Sequence, residues 1–208
     1  MLLAFDTSSP QVTVALADGD DVVAEQASGQ TMKHGEQLAP LIAAVLDSAG
    51  RTRRDLTAIG VGVGPGPFTG LRVGLVTART MSATLGIPVT GICTLDIVAA
   101  AVQSDEGFLV ATDARRKEVY WARYAASGAR HTEPSVDRPG DVATGEPVAG
   151  RGATLYPDAF PNPIAPEYPN AADLARLVLA GSAIELPPEP LYLRRPDVAE
   201  PGARKRVS

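Results

Sequence analysis

The sequence predicts an α/β fold, and three observations carry this prediction. Three short apolar segments, residues 2–7, 12–17 and 22–26, are joined by tight polar turns, as in an antiparallel meander. After them, segments with helical spacing of apolar residues alternate with short strand-like segments. Hydrophobic residues make up 45% of the 208 residues and aromatic residues only 5%. The core is therefore expected to consist of small aliphatic side chains packed between sheets and helices.

The first half of the chain follows the order strand, strand, strand, helix, strand, helix, strand, helix. In residues 36–49, Leu38, Leu41 and Ile42 recur at helical spacing, and Gly50 follows as a helix stop. The remaining elements predicted before residue 103 are a strand at residues 57–63, a helix at 69–85, a strand at 89–93 and a helix at 95–102.

The second half is predicted to be a smaller and looser unit. Strands are expected at residues 108–112, 118–125 and 147–150, and a helix at 173–179. Proline and glycine accumulate between residues 134 and 169, which indicates loops. We therefore predict a lobe of residues 1–103, a smaller lobe of residues 104–195, and a disordered tail at 196–208.

Charge and cysteine content narrow the class of protein. The 24 acidic and 19 basic residues give a net charge of −5. This balance is unfavourable for a protein that binds nucleic acid by itself, because neutralised phosphates supply most of that affinity. The single cysteine, Cys93, allows no disulfide framework within the chain. No targeting or membrane-spanning segment is recognisable, so we expect a cytoplasmic protein with no membrane contact. Basic clusters at residues 51–54, 115–117 and 204–206 are interpreted as solvated surface charge.

A turn rich in glycine and proline precedes the second helix. Gly64, Pro65, Gly66 and Pro67 follow an alternating strand, and Thr69 is a plausible helix cap. Glycine permits positive φ and close approach of another group, and such a turn at a helix N-terminus can bind phosphate. Neither a P-loop nor a GxGxxG pattern is present. Two interpretations stay open, a phosphate-binding turn and the favoured structural or docking turn.

Small side chains recur along the second helix. Gly70, Gly74, Ala78 and Ser82 stand at every fourth position, so they form a stripe that permits close approach of another helix. The intervening leucines leave little polar surface, which indicates burial on more than one side. Either the protein's own sheet and helices or a second subunit could cover this helix.

Asp6 and Thr7 end the first strand, where actin-like ATPases and sugar kinases carry a phosphate-binding loop. Ser8 stands where such a loop needs glycine, and Asp113, at the end of a later strand, also lacks paired glycines. Asp6 is therefore either part of a weakened nucleotide site or a strand-end residue that caps a turn. The two histidines lack the spacing of a metal site, so no metal is expected.

Several motifs occur in an order that one known family shares. They are Asp6-Thr7, His34, the stretch 64–74, Gly86-Ile87-Pro88, Asp113-Ala114-Arg115 with residues 118–122, and the stretch 190–194. Together they resemble the TsaB (YeaZ-type) subunit of the bacterial tRNA N6-threonylcarbamoyladenosine synthase. The resemblance covers nearly the whole chain, except for residues 128–169, which match the family poorly.

The resemblance implies an actin-like, ribonuclease H-like fold of two lobes with mixed βββαβα sheets. It also implies a non-catalytic scaffold that dimerises with TsaD, the paralogue that binds metal and modifies adenosine 37 of tRNAs reading ANN codons. TsaE, an ATPase, joins the assembly, and tRNA is reached only through the complex. A homodimer is expected when the chain is alone. No cofactor is expected, and Asp6 and Thr7 are the candidate contacts in the case that ATP or ADP binds at the interface.

The family pairs through helices of its N-terminal lobe, which correspond here to residues 36–49 and 69–85. We expect the partner interface to contain Gly64, Pro65, Gly66, Phe68, Thr69, Gly70, Leu71, Arg72, Gly74, Leu75, Ala78, Leu38, Leu41 and Ile42. Pro67 stands where many relatives have serine, which removes a hydroxyl from the turn.

An enzyme of another class is the alternative. An actin-like, ATP-binding kinase or ATPase would place Asp6 and Asp113 around the nucleotide phosphates, and tight binding of Mg·ATP by the isolated chain would favour it. A metallopeptidase is disfavoured, because the sequence contains no cluster of metal ligands.

Overall fold

Two mixed β-sheets with helices packed against them form the fold. The computed structural model describes residues 1–29 and 33–193, and the predicted disordered tail at 196–208 lies outside the described residues. The elements are β1 (Leu2–Asp6), β2 (Thr13–Asp18), β3 (Asp21–Ala27), α1 (His34–Ser48), β4 (Ala58–Gly62), α2 (Phe68–Leu85), β5 (Val89–Ile92), α3 (Thr94–Ala100), β6 (Phe108–Asp113), β7 (Val119–Tyr124), β8 (Ser135–Asp137), β9 (Val148–Ala149), α4 (Arg151–Leu155), β10 (Pro163–Ile164), α5 (Ala171–Ala180) and β11 (Glu185–Leu186).

The first sheet has the strand order β11-β5-β4-β1-β2-β3. Strands β1, β2 and β3 pair antiparallel, as the meander predicted, whereas β4 is parallel to both β1 and β5. Leu3 of the central strand β1 lies opposite Leu16 and Ile59, and all three side chains are fully buried. The second sheet has the order β10-β9-β6-β7-β8. The predicted α/β class is thereby confirmed.

Helices cover both faces of the first sheet. Helices α1 and α2 share one hydrophobic core with β1, β2 and β4, so they lie side by side on one face. Helix α5 packs on the opposite face through Leu174 and Ala175. Helix α2 ends at Gly86, whose φ of +67° and N–H bond to the carbonyl of Ser82 form a left-handed cap. Among the described residues, no helix is long and apolar enough to cross a membrane.

The two sheets exchange elements across the division predicted at residue 104, which stays a prediction. Helix α5 and strand β11 come from the predicted second lobe but pack on the first sheet. Helix α3 comes from the predicted first lobe, yet Leu95 and Val98 pack on the second sheet. Asp96 of α3 also accepts hydrogen bonds from Tyr124 and Arg130 beside the second sheet. The two sheets are therefore joined by exchanged elements.

Candidate functional site

The turn at residues 64–67 is fixed from within the chain. Gly64 has a φ of +91°, which favours glycine, and its carbonyl accepts a 2.7 Å hydrogen bond from the N–H of Thr94. A Cβ on Gly66 would lie 2.4 Å from the carbonyl oxygen of Ser8. The turn is thus packed between the start of α3 and the β1–β2 loop, and it sets the path into α2. Because this packing accounts for both glycines, it favours the structural interpretation of the turn over phosphate binding.

The stripe of small residues on α2 faces the protein's own interior. Thr7 Oγ1 donates to the carbonyl of Gly70 at 2.8 Å and accepts from the N–H of Gly74 at 3.1 Å. A Cβ on Gly74 would lie 2.4 Å from the same hydroxyl oxygen, and Ala78 is fully buried. The segment that packs closely against the stripe of α2 is therefore the loop after β1. Contact of the stripe with a partner stays a prediction.

Other predicted interface residues differ in how much of them is exposed. Besides the stripe, the side chains or backbone of Leu71, Leu75, Leu38, Ile42, Gly64 and Pro65 are buried within the chain. Leu41 and Gly66 are partly exposed, and Phe68, Thr69 and Arg72 are exposed. A partner can therefore reach only the outer side of the predicted helices.

That outer side of α2 forms a shallow apolar groove. Phe68 is 50% exposed and Val76 is 62% exposed, although both are large hydrophobic residues. The groove has a volume of about 480 Å³ and is lined by Phe68, Thr69, Arg72, Val73, Val76 and Thr77. Helix α2 contains Arg72 and Arg79 but no acidic residue. An exposed apolar groove of this kind is characteristic of interaction surfaces.

The neighbouring outer side of α1 has the opposite charge. Its exposed residues include Ala39 and Ala43, and its charged side chains are Glu36 and Asp47, with no lysine or arginine within the helix. Lys33, just before the helix, forms a 3.2 Å ion pair with Glu36. Val73 of α2 lies 3.9 Å from the position of a Cβ on Gly35, so the two helices meet near their N-termini. We call these two outer sides together the α1–α2 face.

A segment from the end of the described chain completes the α1–α2 face. The ring of Tyr192 stacks on that of Phe68 with centroids 5.7 Å apart. The guanidinium of Arg72 lies 3.6 Å above the Phe68 ring and donates through Nε to Tyr192 Oη at 3.1 Å. Leu191 holds the segment in place, because its N–H bonds to the carbonyl of Val63. Three exposed side chains are thereby ordered before any partner binds.

The cleft between the two lobes is nearly closed. Its volume is about 30 Å³, and its walls include Ser8, Pro65, Thr94, Asp113 and Arg151. A space of that size exceeds the ~10–15 Å³ that one water molecule needs but is far below the roughly 300–1,000 Å³ of ligand pockets. A nucleotide does not fit in the cleft as it stands.

Asp6 is fully buried at the base of this cleft. Its Oδ1 accepts from the N–H of Ser8 at 2.7 Å, and its Oδ2 contacts the hydroxyls of Ser8 and Thr94 at 2.9 and 2.7 Å. The two hydroxyl oxygens are also 2.8 Å apart. These are three contacts between the oxygens of Asp6, Ser8 and Thr94, but the two hydroxyls supply only two hydrogens. A proton on the Asp6 carboxyl would supply the third. Burial raises the pKa of Asp6, although the bonds from Thr94 and Ser8 lower it.

The predicted cofactor contacts are therefore occupied by the fold itself. Asp6 is bonded to Ser8 and Thr94, and the hydroxyl of Thr7 is bonded to α2. A Cβ on Gly62 would lie 1.8 Å from Asp6 Oδ2, which explains the glycine at the end of β4. Asp6 and Thr7 as nucleotide contacts stay a prediction, and these hydrogen bonds favour the other interpretation of Asp6, a strand-end residue that caps a turn.

Two further side chains that could carry chemistry, His34 and Cys93, are also enclosed. His34 is buried, and its Nε2 contacts the carbonyl oxygen of Ser9 at 2.7 Å. Cys93 is fully buried, and burial raises the pKa of its thiol to about 12. In the ranges that the structure describes, no group of three or more His, Cys, Asp or Glu residues is placed to hold a metal ion.

Comparison with known proteins identifies the family. A family model described as TsaD, tRNA N6-adenosine threonylcarbamoyltransferase, matches residues 21–184. Two curated proteins named TsaB, from Bacillus subtilis and Escherichia coli, are each 33% identical to the chain over 59% of its length and 54% of theirs. YeaZ from Pseudomonas aeruginosa is a close structural match, with a TM-score of 0.78 at 30% identity over 92% of this chain and 99% of that one.

The chain belongs to the TsaB/YeaZ family. An uncharacterized protein of Mycobacterium tuberculosis is a further relative, 42% identical over 94% of this chain and 92% of its own length. Membership confirms the actin-like fold and places the chain in a family involved in tRNA threonylcarbamoyladenosine biosynthesis.

Within this TsaB/YeaZ-type chain, sequence reasoning missed two features of the α1–α2 face. The prediction that α2 is buried on more than one side left Val76 out of the interface, but Thr69, Arg72, Val76 and Thr80 recur at helical spacing opposite the stripe. That spacing was the signal for an outward side. No local signal placed Tyr192, because its contact with α2 spans 120 residues of sequence.

Proposed function

We propose that this chain is a non-catalytic partner subunit for threonylcarbamoyl transfer to adenosine 37 of ANN-decoding tRNAs. It binds a TsaD-type subunit through the α1–α2 face. Family membership supports the pathway, and the exposed groove with its ordered Phe68, Arg72 and Tyr192 supports the binding surface. That groove is the observation that carries the proposal, because large apolar residues at such exposure favour burial by a partner.

Charge supports a partner of the same fold. A related subunit that presents the same two helices can place its α1 against α2 of this chain in a two-fold arrangement. Arg72 and Arg79 of one subunit then approach a Glu36-type and an Asp47-type residue of the other, provided that the partner carries acidic residues at those positions. In the absence of a TsaD-type partner, a second copy of this chain can supply the acidic α1 residues that complement the arginines of α2. We therefore propose that the chain alone forms a homodimer through the α1–α2 face.

Two features support a non-catalytic role for this chain. The cleft has a volume of about 30 Å³, and Asp6 makes three contacts inside the chain. These features also weigh against the alternative of an actin-like kinase or ATPase, which must hold nucleotide phosphates at that place. We propose that a TsaE-type ATPase joins the complex, that tRNA is bound only through it, and that the assembly works in the cytoplasm.

Reconstitution tests the proposal directly. The chain is mixed with the TsaD-type and TsaE-type subunits of its own organism, and modification of an unmodified ANN-decoding tRNA transcript is followed with the supply of the threonylcarbamoyl donor held constant. We expect modification to depend on this chain. Full modification without it would contradict the proposed function.

A titration of the isolated chain with Mg·ATP separates the two function classes. We expect no tight binding, because the cleft is closed and Asp6 is occupied. Micromolar binding with hydrolysis would instead support the kinase or ATPase.

A further inference from the structure

A large cavity lies between α3, the loop that joins β7 to β8, and α5. Its volume is about 640 Å³, within the roughly 300–1,000 Å³ of ligand pockets. Most of the side chains that line it are small or apolar, among them Ala99, Val102, Ala129, Leu177, Ala180 and Ile184. We call it the α3–α5 cavity. It is remote from the α1–α2 face, because α5 packs on the opposite side of the first sheet from α1 and α2.

Arg130 is held rigidly at the wall of the α3–α5 cavity. Its side chain is only 10% exposed and forms a 2.9 Å ion pair with Asp96 of α3. Asp96 also accepts a 2.7 Å hydrogen bond from the hydroxyl of Tyr124, which is itself buried. The guanidinium is therefore ordered by the chain, and little conformational entropy is lost when a ligand binds to it.

The ion pair occupies only one nitrogen of this guanidinium. Both hydrogen bonds to Asp96 run from Nη1, at 3.0 Å to Oδ1 and 2.9 Å to Oδ2. Within the described ranges, Nε and Nη2 of Arg130 have no hydrogen-bond partner, and neither is shut off from solvent. Because the Arg130 side chain is otherwise buried, the cavity is the space through which these nitrogens are reached. Nε and Nη2 form the planar fork with which arginine binds a carboxylate through two hydrogen bonds.

The surroundings restrict the charge and the shape of a ligand. Asp96 and Asp173 both line the cavity, so a dianion such as phosphate would meet two negative charges. The second arginine at the cavity, Arg176, is already paired with Asp173 at 2.7 Å. A single negative charge can bind the open fork of Arg130, and the apolar walls favour a hydrocarbon body.

We infer that the α3–α5 cavity binds a small monocarboxylate with an apolar body, whose carboxylate accepts hydrogen bonds from Nε and Nη2 of Arg130. The inference goes beyond the proposed function and does not depend on it. The alternative is an ion pair that only joins α3 to the second sheet. That role explains the bonds from Nη1 to Asp96, but it needs neither an open fork nor an apolar cavity beside it.

Titration of the full chain with hexanoate, followed by amide NMR spectra, tests the inference. We expect saturable shifts of the amide signals around the α3–α5 cavity, with a Kd on the order of 1 mM. Hexanamide lacks the charge and acetate lacks the apolar body, so each should bind at least roughly tenfold more weakly. The absence of saturable shifts at the cavity, or equal affinity for hexanamide, would overturn the inference.

Two variants assign the binding to this cavity. Arg130→Lys keeps a positive charge beside Asp96 but removes the fork, so the Kd for hexanoate should rise roughly tenfold. Ala180→Phe fills the cavity from an exposed position at the end of α5 and should abolish binding. It also tests the site independently of any effect of Arg130→Lys on folding.

Leu179→Phe is the matched control for Ala180→Phe. Leu179 is 40% exposed on the same helix but does not line the cavity, so this variant should bind hexanoate as the wild type does. Melting temperatures establish that each variant is folded. Wild-type affinity in either folded variant at Arg130 or Ala180 contradicts the inference, as does an equal loss of affinity in the control.

Discussion

Tyr192 Oη accepts a hydrogen bond from Nε of Arg72 at 3.1 Å, and this contact joins the end of the described chain to the first turns of α2. Both side chains also contact Phe68, by ring stacking and by a cation–π contact respectively. The three residues form the ordered part of the α1–α2 face. Because ordering precedes binding, less conformational entropy is lost when a partner docks.

Removing the phenol oxygen should weaken docking without unfolding the chain. Tyr192→Phe keeps the stack on Phe68 but removes the bond to Arg72, so the Kd for the TsaD-type subunit should rise about 2- to 10-fold, as expected for a bond of about 0.5–1.5 kcal/mol. Tyr192→Ala should weaken binding further. Isothermal titration calorimetry measures both, with Ile184→Ala as a control on an exposed apolar residue elsewhere. An unchanged Kd for Tyr192→Ala would remove the segment from the interface.

A charge in the middle of the groove should block assembly. Val76→Glu places a carboxylate at a 62% exposed position, and its helix propensity is no worse than that of valine, so the fold should be retained. Burial of this unpaired charge against a partner is expected to abolish the complex and the homodimer in size-exclusion chromatography. Leu179→Glu is the matched control, because Leu179 is 40% exposed on α5, across the sheet. Equal behaviour of the two variants would show that the face is wrongly assigned.

The same glycine-to-alanine change should have opposite effects at two helical positions. Gly74→Ala would place its Cβ 2.4 Å from Thr7 Oγ1, so we expect a loss of about 1–3 kcal/mol and a fall in Tm of about 3–10 °C. At Gly35 the corresponding distance is 3.9 Å, to Val73, so Gly35→Ala should be neutral or stabilise by up to about 1 kcal/mol. Thermal unfolding followed by circular dichroism compares them. A neutral Gly74→Ala would contradict the packing of α2 on Thr7.

Asp6 should make stability depend on pH in one direction. Burial raises its pKa above the ordinary value of 3.8, so the folded chain holds the proton at pH values where the unfolded chain has released it. The stabilisation is complete below the unfolded pKa and is lost as pH rises through the folded pKa, at up to about 1.4 kcal/mol per pH unit. The wild type should therefore gain stability relative to Asp6→Asn on acidification from pH 7 to pH 4. Urea unfolding at several pH values measures this difference, and a difference independent of pH would exclude a protonated Asp6.

Local sequence patterns were sufficient for most elements of the first lobe. The meander, the helices near residues 36–49 and 69–85, and the Gly86 stop all follow from spacing and turn chemistry within a few residues. Strands β8, β10 and β11 were not predicted, because strands of two or three residues carry no measurable alternation. Helix α4 was not predicted either, because its five residues are too few to show helical spacing. They lie in proline-rich segments where pairing with another strand determines the structure.

The sequence by itself determined the fold class, the turn before α2 and, through the order of its motifs, the family. Only the tertiary structure decided which side of α2 is free. A stripe of small residues permits close approach but does not determine which segment approaches. In this chain that segment contains Thr7, which is 63 residues from Gly70 and 67 residues from Gly74 in the sequence. The exposed groove and its Tyr192 contact follow from that choice. Long-range packing determines which side of α2 is exposed, because side-chain burial depends on which distant segments of the chain meet.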